Sequence, residues 1–319
     1  MRDGTQNTFI LSRKYMKTSN FIVGKYRFTF EATEQIKLPA FKGGLFHGAL
    51  GHGLMKISPY WNEYFTSGQE SGLPRAYVLL PPLDNVTSYL PGYQFSCEMT
   101  LFGKAAMYWP VCHCALEFAA GNLGLGKTRG KARAVGIESA VPGAAGEKKL
   151  PVVTWQDILE SRLPSLPSKR LTVKFITRLR LKDQNRLVRR PPVFSTFFSR
   201  LLGRLKSLVS FYGEGMECWI TREEEQRLQE LSKKVKILSH SLVWDDWSRY
   251  SSRQKSWMKF GGLHGSITFE GDLEPFLPFL ALGEWTHLGG KTTFGLGKYI
   301  LEGTRDGEQE ISASKMRKP

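Results

Sequence analysis

Two histidines, His47 and His52, sit in the stretch Gly43–Ile57 of a 319-residue chain. Imidazole exchanges protons near neutral pH, which suits general acid or base work. His52 shares a helical face with Lys56 at i, i+4, and an ammonium there could steady developing negative charge. The sequence therefore favours His52 for proton transfer, aided by Lys56, with His47 as the neighbouring alternative. The ordinary reading of each is a surface or half-buried histidine. A second chemical stretch lies near the C-terminus, from Trp285 to Tyr299. It sets Gly289, Gly290, Gly295 and Gly297 among His287, Lys291, Thr292 and Lys298. Glycines let a backbone approach a ligand and turn its N–H groups outward, and lysines and hydroxyls beside them suit an anion. A partial echo, Gly121–Lys131, carries Lys127, Arg129 and Lys131. His113, His240 and His264 read as structural.

The hydrophobic pattern places both glycine stretches at the same point of a repeated fold. A strand at Lys25–Glu31 alternates, and Gly43–Ile57 carries Phe46, Ala49, Leu50, Leu54 and Ile57 on one helical face. Strands at Tyr77–Leu80 and Phe95–Leu101 follow, then a helix at Ala105–Ala120, kinked or started at Pro110, and a strand at Ala132–Glu138. The second cycle has a strand at Leu171–Leu179, a basic helix at Phe194–Tyr212, a charged helix at Thr221–Lys234 as an insertion, and strands at Ile237–Trp247 and Gly265–Glu270. A helix at Glu274–Gly283 and a strand at Lys298–Glu302 complete it. Each cycle reads β-α-β-β-α-β, so the fold class is α+β with two tandem ferredoxin-like domains. The expected division is a leader at 1–20, a first domain at 21–145, a linker at 146–168 with one helical turn near Trp155–Leu159, a second domain at 169–303, and a basic tail at 304–319.

The formal net charge is +16 and the pI about 9.7. Such an excess favours a polyanion, nucleic acid before an anionic membrane surface. The 41% hydrophobic content supports folded cores. Four cysteines in a chain this long do not form a disulfide framework. Cys112-His113-Cys114 has no second ligand pair at zinc spacing, so no metal and no cofactor is expected. Residues 1–20 lack an apolar core and no run is long enough to span a bilayer, so the expected location is the cytoplasm. Gly121–Thr128 fits the G-x-x-x-x-G-K-[ST] pattern, but a helix precedes it and no helical stripe follows. A nucleotide-binding P-loop therefore ranks below a loop that touches backbone phosphates. The segment Tyr250–Lys259 mixes Arg253, Lys255 and Lys259 with aromatics, a mixture suited to a nucleic-acid strand or to an ordinary basic turn.

Taken in order, Leu38-Pro39-Ala40-Phe41-Lys42-Gly43 leading into Gly48–His52, Leu80–Leu83, Tyr89–Gly92, Leu101–Gly103, Tyr250–Lys255, Met258-Lys259, Gly261-Gly262, and Leu282–Trp285 through Phe294–Gly297 resemble the CRISPR-associated endoribonucleases that process precursor CRISPR RNA, members of the RAMP superfamily. The resemblance spans Gly24 to Glu302. It implies metal-independent cleavage within repeats, by attack of the 2′-hydroxyl on the adjacent phosphate, leaving 2′,3′-cyclic phosphate and 5′-hydroxyl ends. It implies a histidine of the first domain's helix region as the proton-transfer group, which falls on His52; His47, where relatives often carry arginine, adds a second histidine to that helix. Repeat RNA, or the crRNA cut from it, is the implied partner, with other CRISPR-associated proteins as a second class and no membrane. Lys42, the basic residues of both glycine stretches and those of Tyr250–Lys259 are the expected RNA contacts. The alternative is a non-catalytic RAMP subunit that binds crRNA in an effector complex.

Overall fold

A computed structural model of the chain describes residues 20–66, 73–143, 150–213, 219–251 and 256–303. The first half begins with β1 (Ile22–Ala32), α1 (Gly43–Ile57) and α2 (Pro59–Thr66). It continues with β2 (Tyr77–Leu80), β3 (Gln94–Phe102), α3 (Trp109–Phe118) and β4 (Ala132–Ser139). The connection holds β5 (Val152–Thr154) and α4 (Trp155–Arg162). The second half runs through β6 (Arg170–Leu179), α5 (Phe194–Tyr212) and α6 (Arg222–Ser232). It ends with β7 (Lys236–His240), β8 (Val243–Asp245), β9 (Gly262–Glu270), α7 (Leu277–Thr286) and β10 (Tyr299–Glu302).

The two halves fold alike. The first sheet has the order β2-β3-β1-β4, and the second has β7-β9-β6-β10. Every pairing within them is antiparallel. This is the β-α-β-β-α-β arrangement in duplicate, as the hydrophobic pattern indicates. On β1 the alternation is strict: Tyr26, Phe28, Phe30 and Ala32 are buried, while Arg27, Thr29 and Glu31 face outward. On α1 the buried row is Gly43, Phe46, Leu50 and Leu54. That row and α3 cover the first sheet and close the first core.

Three segments depart from the sequence expectation. Residues 150–168, expected as a linker with a single helical turn, fold fully. Val152–Thr154 extends the first sheet beside β1. Thr154 and Asp157 form a capping box that starts α4. Trp155, Ile158 and Leu159 then enter a core shared with the second half. Pro151, Pro164 and Pro167 flank this short helix and made the segment read as a linker in the sequence. Ile237–Trp247, expected as one strand, is split into β7 and β8, both paired with β9. The helix expected at Ala105–Ala120 is a 3-10 turn over Gly103–Tyr108, then α3, then a π-turn over Ala119–Leu123. Pro278 falls in the first turn of α7, where a missing N–H leaves no hydrogen bond unmade.

The shared core unites the halves. Phe21, Val23, Val78 and Phe102 of the first sheet region pack into the same cluster as α5 and α7. A second junction is made of backbone. A Cβ placed on Gly43 would lie 1.9 Å from the carbonyl oxygen of Phe294. That oxygen is backbone and cannot swing aside as a side-chain end could, so Gly43→Ala has to displace α1 or the loop. Overpacking of this kind costs about 1–3 kcal/mol. Urea unfolding of Gly43→Ala should show that loss, and a midpoint equal to that of the parent chain would refute the tight junction.

Candidate functional site

The histidine that the fold brings to the C-terminal glycine stretch is His47. Residues advance about 100° around an α-helix, so His47 and His52 stand roughly 140° apart on α1. His47 borders the buried row. Its ring stacks on Phe294 with 3.9 Å between centroids and 29° between planes. Its Nδ1 lies 3.4 Å from the hydroxyl of Tyr77 on β2. His52 and Lys56 are exposed on the face of α1 turned from the core.

Phe294 belongs to a line of rings that crosses between the halves. Its ring lies 5.2 Å from Phe260, Phe260 lies 5.1 Å from Trp247, and Trp247 lies 5.1 Å from Phe41. Lys291 sets its ammonium 4.1 Å from the Phe260 centroid and 5.4 Å from that of Phe294. Cations are attracted to aromatic faces at such distances.

The glycine stretch is not a cradle of outward N–H groups, which corrects the expectation for most of its residues. The N–H of Gly290 donates to the carbonyl of Arg180 at 2.8 Å, and that of Gly297 to the carbonyl of Arg178 at 2.9 Å. Gly295 donates to the carbonyl of Thr292 at 3.0 Å. Gly289 takes a left-handed φ of 87° where its backbone meets Arg180. At Gly295, φ is also 87°, and a Cβ would lie 2.4 Å from Cδ of Pro81. These glycines serve close packing of the loop. Thr292 is buried and accepts from Arg204 at 3.1 Å. His287 is buried too, with Nδ1 3.3 Å from the carbonyl of Leu296. Burial, and then Lys298 beside it, hold His287 well below the usual histidine range, so it is neutral. His287 therefore stays inside the loop, whereas Thr292 borders the cleft between the halves.

Two expected lysine contacts are also internal. Lys42 is fully buried, paired with Asp84 at 3.0 Å and donating to its carbonyl at 2.6 Å. Lys298 is half-buried by area, and its ammonium donates to the carbonyl of Glu284. The echo loop closes on its own half. Leu125 and Gly130 bridge, and a Cβ on Gly126 would lie 2.1 Å from the carbonyl of Lys37. β4 follows, not a helix, so the loop lacks the strand-to-helix setting of a P-loop. Lys127 and Arg129 are exposed there, and Lys131 donates to the carbonyl of Asn122. Lys259 is exposed at the end of the strand Ser256–Lys259. Arg253 and Lys255 lie outside the described residues.

A basic cleft of about 750 Å³ lies between the halves, and apart from Lys291 the sequence did not single out the cations that line it. Arg75 contributes from the first half. Arg180, Lys182, Arg200, Arg204 and Lys291 contribute from the second. Phe294, carrying His47 on its ring, forms part of the wall. Arg204 donates twice to the carbonyl of Thr286, at 2.9 and 2.7 Å, and so pins the loop. Burial lowers its pKa to about 10, which leaves it charged at neutral pH. Arg200 and Arg204 are one helical turn apart on α5, and that spacing was a signal available in the sequence.

Comparison with known proteins now bears on this arrangement. The family model for the CRISPR-associated endoribonuclease Cas6 matches residues 173–299. A model of an N-terminal domain matches residues 21–63 and 59–162. No curated protein sequence matches. Among solved structures, a partial Cas6-RT-Cas1–Cas2 complex is similar with a TM-score of 0.63 at 14% identity, over 90% of this chain and 47% of that one. A Cas6 product complex is similar with a TM-score of 0.62 at 17% identity, over 88% and 100%. Thermus thermophilus Cas6 gives 0.60 at 14% identity, over 89% and 100%. The chain thus spans about half the length of the first of these proteins and the whole length of the other two. At these identities the structural likeness is one of fold. The fold is a tandem ferredoxin-like architecture. The Cas6 family model thus covers most of the second half of the chain.

Lys298 makes one solution property testable. Burial, and then the charge of Lys25, lower its pKa to about 8 from 10.5. Between those values the unfolded chain holds a proton that the folded chain has released. Stability from this group therefore rises as pH goes from 8 to 10.5. The unfolding free energy of the parent chain, measured against Lys298→Met, should climb across that window. A flat difference would refute the shifted pKa.

Proposed function

We propose that the chain is a metal-independent endoribonuclease that cuts precursor CRISPR RNA within its repeats. The observation that carries this reading is His47 seated on Phe294 at the wall of the basic cleft. An RNA strand lying in the cleft would meet Arg75, Arg180, Lys182, Arg200 and Lys291 through its phosphates. In the reaction the ribose 2′-oxygen bonds to phosphorus and the bond from phosphorus to the 5′-oxygen breaks. The 2′-hydroxyl loses its proton and the 5′-oxygen gains one, leaving a 2′,3′-cyclic phosphate and a 5′-hydroxyl. His47 is the imidazole assigned to this step, as a ring N–H donor to the phosphate oxygens on which charge grows. The cations of the cleft offset the charge that grows on the phosphate oxygens. The catalytic assignment therefore moves from His52 to His47. Its natural substrate is the repeat transcript in the cytoplasm, and other CRISPR-associated proteins are the second class of partner.

Incubation with repeat RNA in EDTA tests the activity. Specific cutting with cyclic-phosphate ends is expected, whereas tight binding without cutting would mark a crRNA-binding subunit instead. His47→Ala should lower the cleavage rate by about 10²- to 10³-fold, the usual contribution of one preorganised hydrogen-bond donor. His52→Ala should cut at the parental rate, and a dead His52→Ala would return the role to that residue. Lys182→Ala should weaken binding and reduce the slope of log affinity against log salt by about 1. An unchanged slope would remove Lys182 from the phosphate path.

A further inference from the structure

We propose that Tyr77 is a positioning residue for His47: its hydroxyl, directed by Arg75, fixes the neutral imidazole with its proton on Nε2. The inference rests on the reading of His47 as the reacting histidine. Tyr77 is 1% exposed, so its hydroxyl must find partners inside the protein. The structure supplies two. Nη1 of Arg75 lies 3.4 Å from the phenolic oxygen, and Nδ1 of His47 lies 3.4 Å from it on another side.

The direction of these bonds follows from the chemistry of the groups. A guanidinium has hydrogens to give and no lone pair to offer. The Tyr77 oxygen therefore accepts from Arg75. The phenol has one hydrogen of its own, and leaving it unused in a buried place is unfavourable. Burial raises the phenol pKa, and the opposing pull of Arg75 does not cancel that, so the hydrogen stays in place at neutral pH. Nδ1 of His47 is the acceptor within reach. A neutral imidazole that accepts at Nδ1 carries its hydrogen at Nε2.

Two restraints then act on one ring. The hydrogen bond from Tyr77 fixes its in-plane orientation, and the stack on Phe294 at 3.9 Å fixes its tilt. His47 meets RNA as a hydrogen-bond donor through Nε2–H, able to grip a nonbridging oxygen of the scissile phosphate. The donor would hold more tightly as charge accumulates on that oxygen. Arg75 has a double position: it orders Tyr77 and also lines the cleft.

Long-range proton–nitrogen NMR of the full chain labelled with ¹⁵N-histidine, at a pH where His47 is neutral, reads the tautomer directly. The expected spectrum has His47 protonated at Nε2 in the parent chain. In Tyr77→Phe, which keeps the ring and loses the hydroxyl, the two tautomers should mix. Its kcat should fall roughly tenfold, with KM unchanged. Arg75→Met should loosen the tautomer in the same direction. A parent chain protonated at Nδ1, or a Tyr77→Phe variant with the parental tautomer and kcat, would overturn the inference. A His47→Ala variant that cuts at the parental rate would overturn the functional reading beneath it, so the two failures are distinguishable.

Discussion

The contact between the Phe294 turn and the start of α1 governs the rest of the molecule. Gly43 leaves room for the Phe294 carbonyl on one side, and Gly295 leaves room for Pro81 on the other. With both openings present, the loop of the second half can lie against the first. Four ring contacts then run in series from Phe41 through Trp247, Phe260 and Phe294 to His47. Aromatic pairs contribute about 0.5–1.5 kcal/mol each beyond the area they bury. That is enough to hold a junction in register without a large interface. The glycines at this point thus work as spacing between backbones. The side chains that the junction lines up face the basic cleft.

Charge is distributed to the same end. The outer faces of both sheets carry cations already matched by carboxylates. Arg27 pairs with Glu98 and Glu138, and Arg133 with Glu31. Arg170 pairs with Glu270, and Lys174 with Glu302. Exposed pairs of this kind contribute little stability, but they cancel one another's field. They also leave these faces without the stacking aromatics that a sheet-based RNA reader uses. In the cleft, Arg200 pairs with Asp183. The cations that line the cleft set a positive field between the halves. Low-dielectric walls focus such a field toward a polyanion.

The fold was legible because its signals are local. Alternation marked β1, β3 and β6, and helical spacing placed α1 and α5 with their observed limits. The segment from Val152 to Leu163 was not legible as a folded connector, because its three-residue strand pairs with β1 and its apolar side chains fill a core assembled from distant elements. The site was less legible for the same physical reason. Lys42, His287, Thr292 and Lys298 have the right chemistry for phosphate, but each is tied to a partner that the sequence does not reveal: Asp84, Leu296, Arg204 and Glu284. His47 and His52 look equivalent along a helix. What separates them is Phe294, which reaches α1 through the tertiary fold alone.

The two glycine stretches show how a duplicated fold becomes asymmetric. Each sits between the second helix and the fourth strand of its half, and each uses glycine to bring one backbone against another. The first stretch turns inward, placing Gly126 and Gly130 on the carbonyls of Lys37 and Gln35 in its own half. The second turns outward and places Gly295 on Leu79 and Pro81 of the other half. The first therefore closes a domain, and the second joins two. Joining puts Phe294 beneath His47, and sets Phe294 and Lys291 on the wall of the basic cleft. The second stretch thus contributes to the site by setting the side chains of the first half. That accounts for a loop whose backbone is spent on packing at the centre of a surface that suits RNA.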